Sequence, residues 1–141
     1  MDNCIFLTNT DTTIGFISKN REKLNSVKQR AANKEYIKAL PSLKSINKRV
    51  PKKFRAKVRR AKKTTFILSK NYSFRVIKDK RHKLLIDRLG WAYTSSANQS
   101  SKEYDKNFAV KKADIIVYPL LTPKKASTIY KLGKKKLKRI R

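Results

Sequence analysis

The apolar positions of this chain come in short blocks set among polar and basic stretches, and the blocks follow two periods. Consecutive apolar residues bounded by turn formers predict buried strands at Cys4–Thr8, Thr64–Ser69, Ser73–Ile77 and Ala113–Pro119. The short connection Lys70-Asn71-Tyr72 makes the second and third of these a hairpin. Glu35–Leu40, ending at Pro41, and Trp91–Thr94 read as two further strands. Ser127–Leu132 and Lys136–Ile140 read as a last pair around Gly133. Helical spacing predicts a helix over Asn20–Arg30, with Asn20 as its cap, Glu22 in its first turn, and Leu24 and Val27 on one face. A second helix is predicted over Lys80–Leu89, where Leu85 and Leu89 stand one turn apart and Gly90 closes the end. Tyr104–Val110 reads as a short helix, Ser42–Lys63 as helical with a break at Pro51, and Asn9–Gly15 as a polar, Thr-rich loop. Strands alternating with helices give an α/β class with a mixed sheet.

Length and charge sharpen that picture. The 141 residues fit a single domain, 1–141, with one hydrophobic core. The 38 basic and 9 acidic residues leave a formal charge of +29, which repels itself and attracts polyanions. Lysine outnumbers arginine 27 to 11, so part of this charge reads simply as solvated surface. Ten of the sixteen residues from Lys48 to Lys63 are basic, and Lys52, Lys53, Arg55, Arg59 and Arg60 there are candidate RNA contacts. Seven of the eleven residues from Lys131 to Arg141 are basic, yet the interleaved Leu132, Leu137 and Ile140 favour a strand over a disordered arm. By contrast, Leu89–Ser101 carries no charge at all.

Several chemistries are excluded by counting. One cysteine, Cys4, rules out an intrachain disulfide and reads as a packed, inert thiol. One histidine, His82, leaves neither a histidine metal cluster nor a Ser-His-Asp triad, and no metal site is expected. His82 is expected on a helix surface and Trp91 beside the sheet. No apolar run approaches the roughly 20 residues of a membrane span, so the expectation is a cytoplasmic protein with no membrane partner.

Three polar clusters sit where strands give way to loops or helices, the places where α/β sheets gather ligands. They are 9–15 (NTDTTIG), 28–34 (KQRAANK) and 94–98 (TSSAN). The first offers the hydroxyls of Thr10, Thr12 and Thr13. The second puts Lys28 and Arg30 at a helix end, where a point charge and a planar fork suit a polyphosphate. The third supplies small neutral donors and acceptors from Ser95, Ser96 and Asn98.

Taken in order, these segments resemble the YrdC-like family of threonylcarbamoyl-AMP synthases. The family's Pro-Thr-(Asp/Glu)-Thr-x-x-Gly is similar to Asn9-Thr10-Asp11-Thr12-Thr13-Ile14-Gly15, and its Lys-x-Arg-Pro-x-x-Lys-Pro to Lys28-Gln29-Arg30-Ala31-Ala32-Asn33-Lys34-Glu35. Its Leu-Thr-hydrophobic strand resembles Thr64–Leu68, its Arg-Val-Pro Arg75-Val76-Ile77, its Thr-Ser-Ala-Asn Ser95–Asn98, and its Pro-Ser-Thr-Ile Ala126–Ile129, with the terminal arginine at Arg141. The resemblance covers nearly the whole chain. It departs where Asn9, Ala31, Glu35 and Ala126 replace prolines, and where Leu120–Lys125 replaces a Gly-rich segment. The family's N-terminal helix is also expected to be missing.

The resemblance implies a twisted mixed sheet with flanking helices around a basic, concave groove. It implies condensation of L-threonine, bicarbonate and ATP to threonylcarbamoyl-adenylate and pyrophosphate, for threonylcarbamoyladenosine in tRNA. Lys28, Arg30, Ser96 and Asn98 would form the catalytic tetrad at ATP, joined by Lys34, Thr65 and Arg141. Thr10, Thr12 and Ser127 would face threonine. Mg2+ would come with the nucleotide, and the adenylate would pass to carbamoyl-transferase proteins. The basic segments alone also fit a double-stranded RNA or tRNA binder of the same fold without synthase activity, or a structural nucleoprotein component.

Overall fold

Alternation along the strands decides which side of the sheet each helix covers. The computed structural model describes residues 1–31, 34–120 and 125–141. Its strands are β1 (Phe6–Asn9), β2 (Ile14–Ser18), β3 (Ile37–Leu40), β4 (Thr64–Ser69), β5 (Tyr72–Val76), β6 (Ala92–Ser96), β7 (Ile115–Ile116), β8 (Thr128–Leu132) and β9 (Leu137–Arg139). They form one twisted mixed sheet in the order β7-β1-β2-β6-β3-β5-β4-β8-β9. The β1/β7, β3/β5 and β4/β8 pairs are parallel and the others antiparallel. Among the described residues, four α-helices flank it: α1 (Arg21–Lys28), α2 (Arg55–Arg60), α3 (Lys80–Leu89) and α4 (Lys106–Lys112).

One face of the sheet belongs to α3. Phe6, Ile17, Ala39 and Ala92 of four strands pack there against Ile77, Ile86 and Leu89. The next residues along β1 and β2, Leu7 and Phe16, point the other way and meet Leu24 of α1 and Ala109 of α4. Further along the second face, Phe66, Phe74 and Val76 pack under Leu43, Val50, Phe54 and Val58. The mixed sheet with flanking helices agrees with the expected class.

The element ends follow local chemistry. The Asn20 side chain accepts from the Lys23 amide at 3.0 Å and caps α1 as expected, while Gln29 ends that helix in the left-handed region at φ 53°. α3 occupies the predicted span; Asp79 caps it and Gly90, at φ +83°, closes it. β4 also matches its prediction, and β5, β6, β8 and β9 shift or shorten by a few residues.

Four expectations are corrected. Ile14 and Gly15 do not belong to the polar loop but open β2, a strand with no predicted counterpart, in which all five residues are buried. A strand covered on both faces carries no alternation to betray it. Ser42–Lys63 is not a broken long helix. It holds two 3-10 turns, Leu43–Ser45 and Lys52–Phe54, and the six-residue α2; Pro51 marks the break as expected, and Leu43, Val50, Phe54 and Val58 anchor the segment on the sheet. The strong strand predicted over Ala113–Pro119 shrinks to Ile115 and Ile116 at the sheet edge, although the Asp114 and Val117 amides also donate to the Ile5 and Leu7 carbonyls. His82 is not a surface residue: it is 1% exposed and shares the inward face of α3 with Ile86 and Leu89. Cys4 lies just ahead of β1 and is half-buried, and Trp91 packs half-buried against the cluster under Val50 and Phe54. Residues 32–33 of the second polar cluster and 121–124 of the segment before Ser127 lie outside the described residues.

Candidate functional site

A cavity of about 250 Å³ opens where β3 and β6 approach the loop between β1 and β2. Thr12 and Thr13 of that loop, Arg30 beyond α1, Tyr36 before β3, Arg75 of β5, Thr94–Ser96 of β6, Ser127 before β8 and Arg141 line it, with Glu35 at its edge. Three guanidinium groups thus face a lining otherwise rich in hydroxyls.

The loop above the cavity is held by its own side chains. Thr10 Oγ1 donates to the Thr13 carbonyl at 2.5 Å and accepts from the Thr12 amide at 3.1 Å. Gly15 then crosses close to β6: a Cβ there would stand 2.9 Å from the Ser95 carbonyl oxygen and 2.9 Å from Thr10 Cγ2. The glycine of the first motif is therefore a requirement of close approach. Arg75 reaches the loop from below. Its guanidinium donates to Thr12 Oγ1 at 3.2 Å and pairs with Asp11 at 3.4 Å, both side chains being 5% exposed or less. Burial pushes the Asp11 carboxyl above the ordinary carboxylate value, against the opposing pull of Arg75. Both carboxylate oxygens lack a hydrogen bond among the described residues.

The second and third motifs meet through Lys28. Its ammonium, 2% exposed as a residue, donates to the carbonyls of Ser96 at 2.6 Å and Asn98 at 2.7 Å, and the Ser100 amide donates back to the Lys28 carbonyl at 3.0 Å. Burial first, and Arg30 second, lower its pKa to about 8, so it stays largely protonated at neutral pH. Lys28 is a strut that folds the 96–100 turn onto the end of α1. Arg30 faces the cavity itself, stacked 4.6 Å from the centre of the Tyr36 ring and donating to the Glu35 carbonyl at 2.8 Å. Its Nε is buried without a hydrogen-bond partner among the described residues.

The predicted residues do not all share one place. Thr12, Arg30, Ser96, Ser127 and Arg141 line the cavity together. Ser127 accepts from or donates to Thr65 at 2.9 Å, and Arg141 Nε donates to the Ser127 carbonyl at 3.0 Å, so these three form one corner of it. Thr10, Lys28, Thr65 and Asn98 stand behind that lining. The Asn98 amide is turned outward, donating to the carbonyls of Gln99 at 3.0 Å and Lys102 at 2.7 Å. Lys34 is exposed and away from the lining. Lys52, Lys53, Arg59 and Arg60 are exposed on the α2 side, and Arg55 is half-buried with Nε donating to the Val50 carbonyl at 3.1 Å. Three participants carried no assigned role in the sequence reading: Asp11, Arg75 and Tyr36. Asp11 and Arg75 lie within the quoted motifs, but their pairing spans 64 positions and leaves no local signal.

No family model matches the chain. Uncharacterized protein MG259 of Mycoplasma genitalium is 37% identical over 103 residues, which cover 71% of this chain and 22% of that protein. P. abyssi Sua5 complexed with L-threonine superposes with a TM-score of 0.80 at 16% identity, over 98% of this chain and 50% of Sua5. E. coli YciO gives 0.79 at 17% identity, over 98% and 82%. Full-length HypF in its phosphate- and nucleotide-bound form gives 0.76 at 14% identity, over 98% and 22%. The chain therefore spans about a fifth of its relative in sequence and half of Sua5. The fold is that of Sua5- and YrdC-type domains.

Proposed function

We propose that this chain is a threonylcarbamoyl-AMP synthase, with ATP and L-threonine sharing the cavity of Arg30, Arg75 and Arg141. The carrying observation is the convergence of three guanidinium groups on a hydroxyl-lined cavity, two of them anchored by a ring stack and an ion pair. The fold neighbours solved with L-threonine and with phosphate and nucleotide support the ligand classes.

The chemistry suits these groups. The threonine amine attacks bicarbonate carbon and water is lost, giving a carbamate. A carbamate oxygen then attacks the α-phosphorus of ATP, the bond to the β-phosphate oxygen breaks, and pyrophosphate leaves. Attacker and target are both anionic, so fixed cations lower the barrier by offsetting repulsion and receiving the charge that moves onto pyrophosphate. Arg30 and Arg141 offer planar forks to phosphate oxygens. Lys28 acts at one remove by fixing the turn that presents Ser96. Among the described residues the lining holds one carboxylate, Glu35, which pairs with Arg21 at 3.0 Å, and Mg2+ would enter on the nucleotide's phosphates. The adenylate would serve tRNA threonylcarbamoyladenosine formation through a separate transferase.

The test is pyrophosphate release from ATP. Release requiring both threonine and bicarbonate, and falling about 100-fold in Arg30→Ala, supports the synthase. Release from neither, with RNA still bound, replaces it by the second reading, an RNA binder of the same fold. That reading draws on the exposed Lys52, Lys53, Arg59 and Arg60.

A further inference from the structure

β6 and β3 lie side by side in the middle of the sheet, and their two faces have different fates. The paired Ala39 and Ala92 face α3 and are fully buried. The neighbouring pair, Lys38 and Tyr93, therefore faces the opposite side. There α1 and α4 cover one end of the sheet and the segment from Leu43 to Val58 the other. Lys38, Tyr93 and Trp91 lie between these two covers and all remain half-exposed.

The chemistry of this strip is unusual for a surface. The Lys38 ammonium stands 4.8 Å from the centre of the Trp91 ring, 5.2 Å from Tyr72 and 5.8 Å from Tyr93. Lys19 stands 5.4 Å from the same Trp91 ring. Trp91 and Tyr93 meet edge-on at 5.1 Å, and Tyr93 continues to Tyr36 at 6.1 Å. Two ammonium groups are thus drawn to one indole, which concentrates positive charge at an aromatic surface and favours an anion there. Lys38 has no carboxylate partner among the described residues, and Lys19 has only the highly exposed Asp2 at 4.0 Å. Cations alternating with half-open rings match a polyanion whose units carry flat apolar faces.

We propose that Lys19, Trp91, Lys38 and Tyr93, none of which lines the cavity, form a binding strip for single-stranded nucleic acid that borders the cavity where Tyr93 meets Tyr36. Successive phosphates pair with the ammonium groups and bases stack against the exposed parts of the rings, a mode every base satisfies. A regular duplex keeps its bases stacked on one another and offers the rings nothing. An acidic protein segment would satisfy the lysines but leave the rings unused.

Trp91 is the one tryptophan of the chain, so its fluorescence reports on the strip directly. An oligouridylate of about twelve nucleotides, titrated without ATP or threonine, is expected to quench Trp91 strongly, and an RNA duplex of equal length to quench it little. The double variant Lys19→Gln/Lys38→Gln, at half-exposed positions that spare the core, is expected to weaken oligouridylate about tenfold. It should also flatten the log–log salt slope by about 1.4, because each single-strand phosphate contact is worth about 0.7. Tyr93→Leu should weaken binding without changing that slope. ATP-dependent pyrophosphate release in the double variant should match the parent, which keeps this test independent of the proposed activity. Quenching by polyglutamate equal to that by oligouridylate, equal quenching by the duplex, or unchanged affinity in the double variant would overturn the proposal.

Discussion

The cavity side and the α2 side of this molecule use charge in opposite ways. Around the cavity the charges are few and anchored. Lys28 is spent on two carbonyls, Arg75 on Asp11 and Thr12, and Arg30 on a ring and a carbonyl. From Lys48 to Lys63 the charges are many and face solvent, with short apolar anchors beneath them. A buried charge costs free energy unless neighbours compensate it, so each one kept marks a position where geometry matters. An exposed lysine costs nothing and fixes nothing. Chemistry is therefore to be sought where the charge density is lowest, and non-specific attraction where it is highest.

Arg75→Leu should break that comparison most severely. It strips Asp11 of its cation, and losing one member of a buried pair costs about 3–5 kcal/mol. Urea unfolding should show it, whereas Arg59→Ala on the exposed side should stay within about 0.5 kcal/mol. Lys28→Met should come next, at about 3 kcal/mol, because two charge-assisted hydrogen bonds vanish and the Ser96 and Asn98 carbonyls lose their donor.

His82 separates the two sides by pH. Burial first, and the Arg75 charge second, lower its pKa from 6.5 to about 4. The unfolded chain then takes up the proton before the folded one. The stability of the neutral form is complete above pH 6.5 and is lost as pH falls toward 4, by about 3 kcal/mol. His82→Leu should remove that share of the acid sensitivity, read as a smaller change in the urea midpoint between neutral pH and pH 4. Gly15→Ala should cost less than these buried-charge and histidine effects, at about 2 kcal/mol, since its methyl would press on the Ser95 carbonyl. Its effect on ligand binding should exceed its effect on stability, because the 10–13 loop and β6 must separate to admit the methyl.

Much of this was legible in the sequence where signals are local. Asn20 and Gly90 mark helix ends through capping, and Thr64–Ser69 is an apolar run between polar flanks. β2 escaped because Ile14–Ser18 is covered on both sides and follows a polar loop, so its pattern imitates neither a half-buried strand nor a helix. The 42–63 segment misled because lysine, arginine and alanine favour helix intrinsically, while the sheet demanded anchors at Leu43, Val50, Phe54 and Val58. At the site, the motif order singled out Thr12, Arg30, Ser96, Ser127 and Arg141, which the fold brings to one cavity. It did not separate Arg30, which faces the cavity, from Lys28, two positions earlier, which faces backbone carbonyls. That distinction depends on the left-handed turn at Gln29 and on a contact 68 residues away.

The most direct measurement is ATP affinity by titration calorimetry at two salt concentrations, comparing Arg30→Ala with the triple exchange Lys52→Gln/Lys53→Gln/Arg59→Gln. A cavity-bound nucleotide predicts a loss of about tenfold or more in Arg30→Ala that persists at high salt, and affinity near that of the parent in the triple exchange. Equal, salt-sensitive losses in both would mean that ATP meets only the surface charge, and would contradict the account.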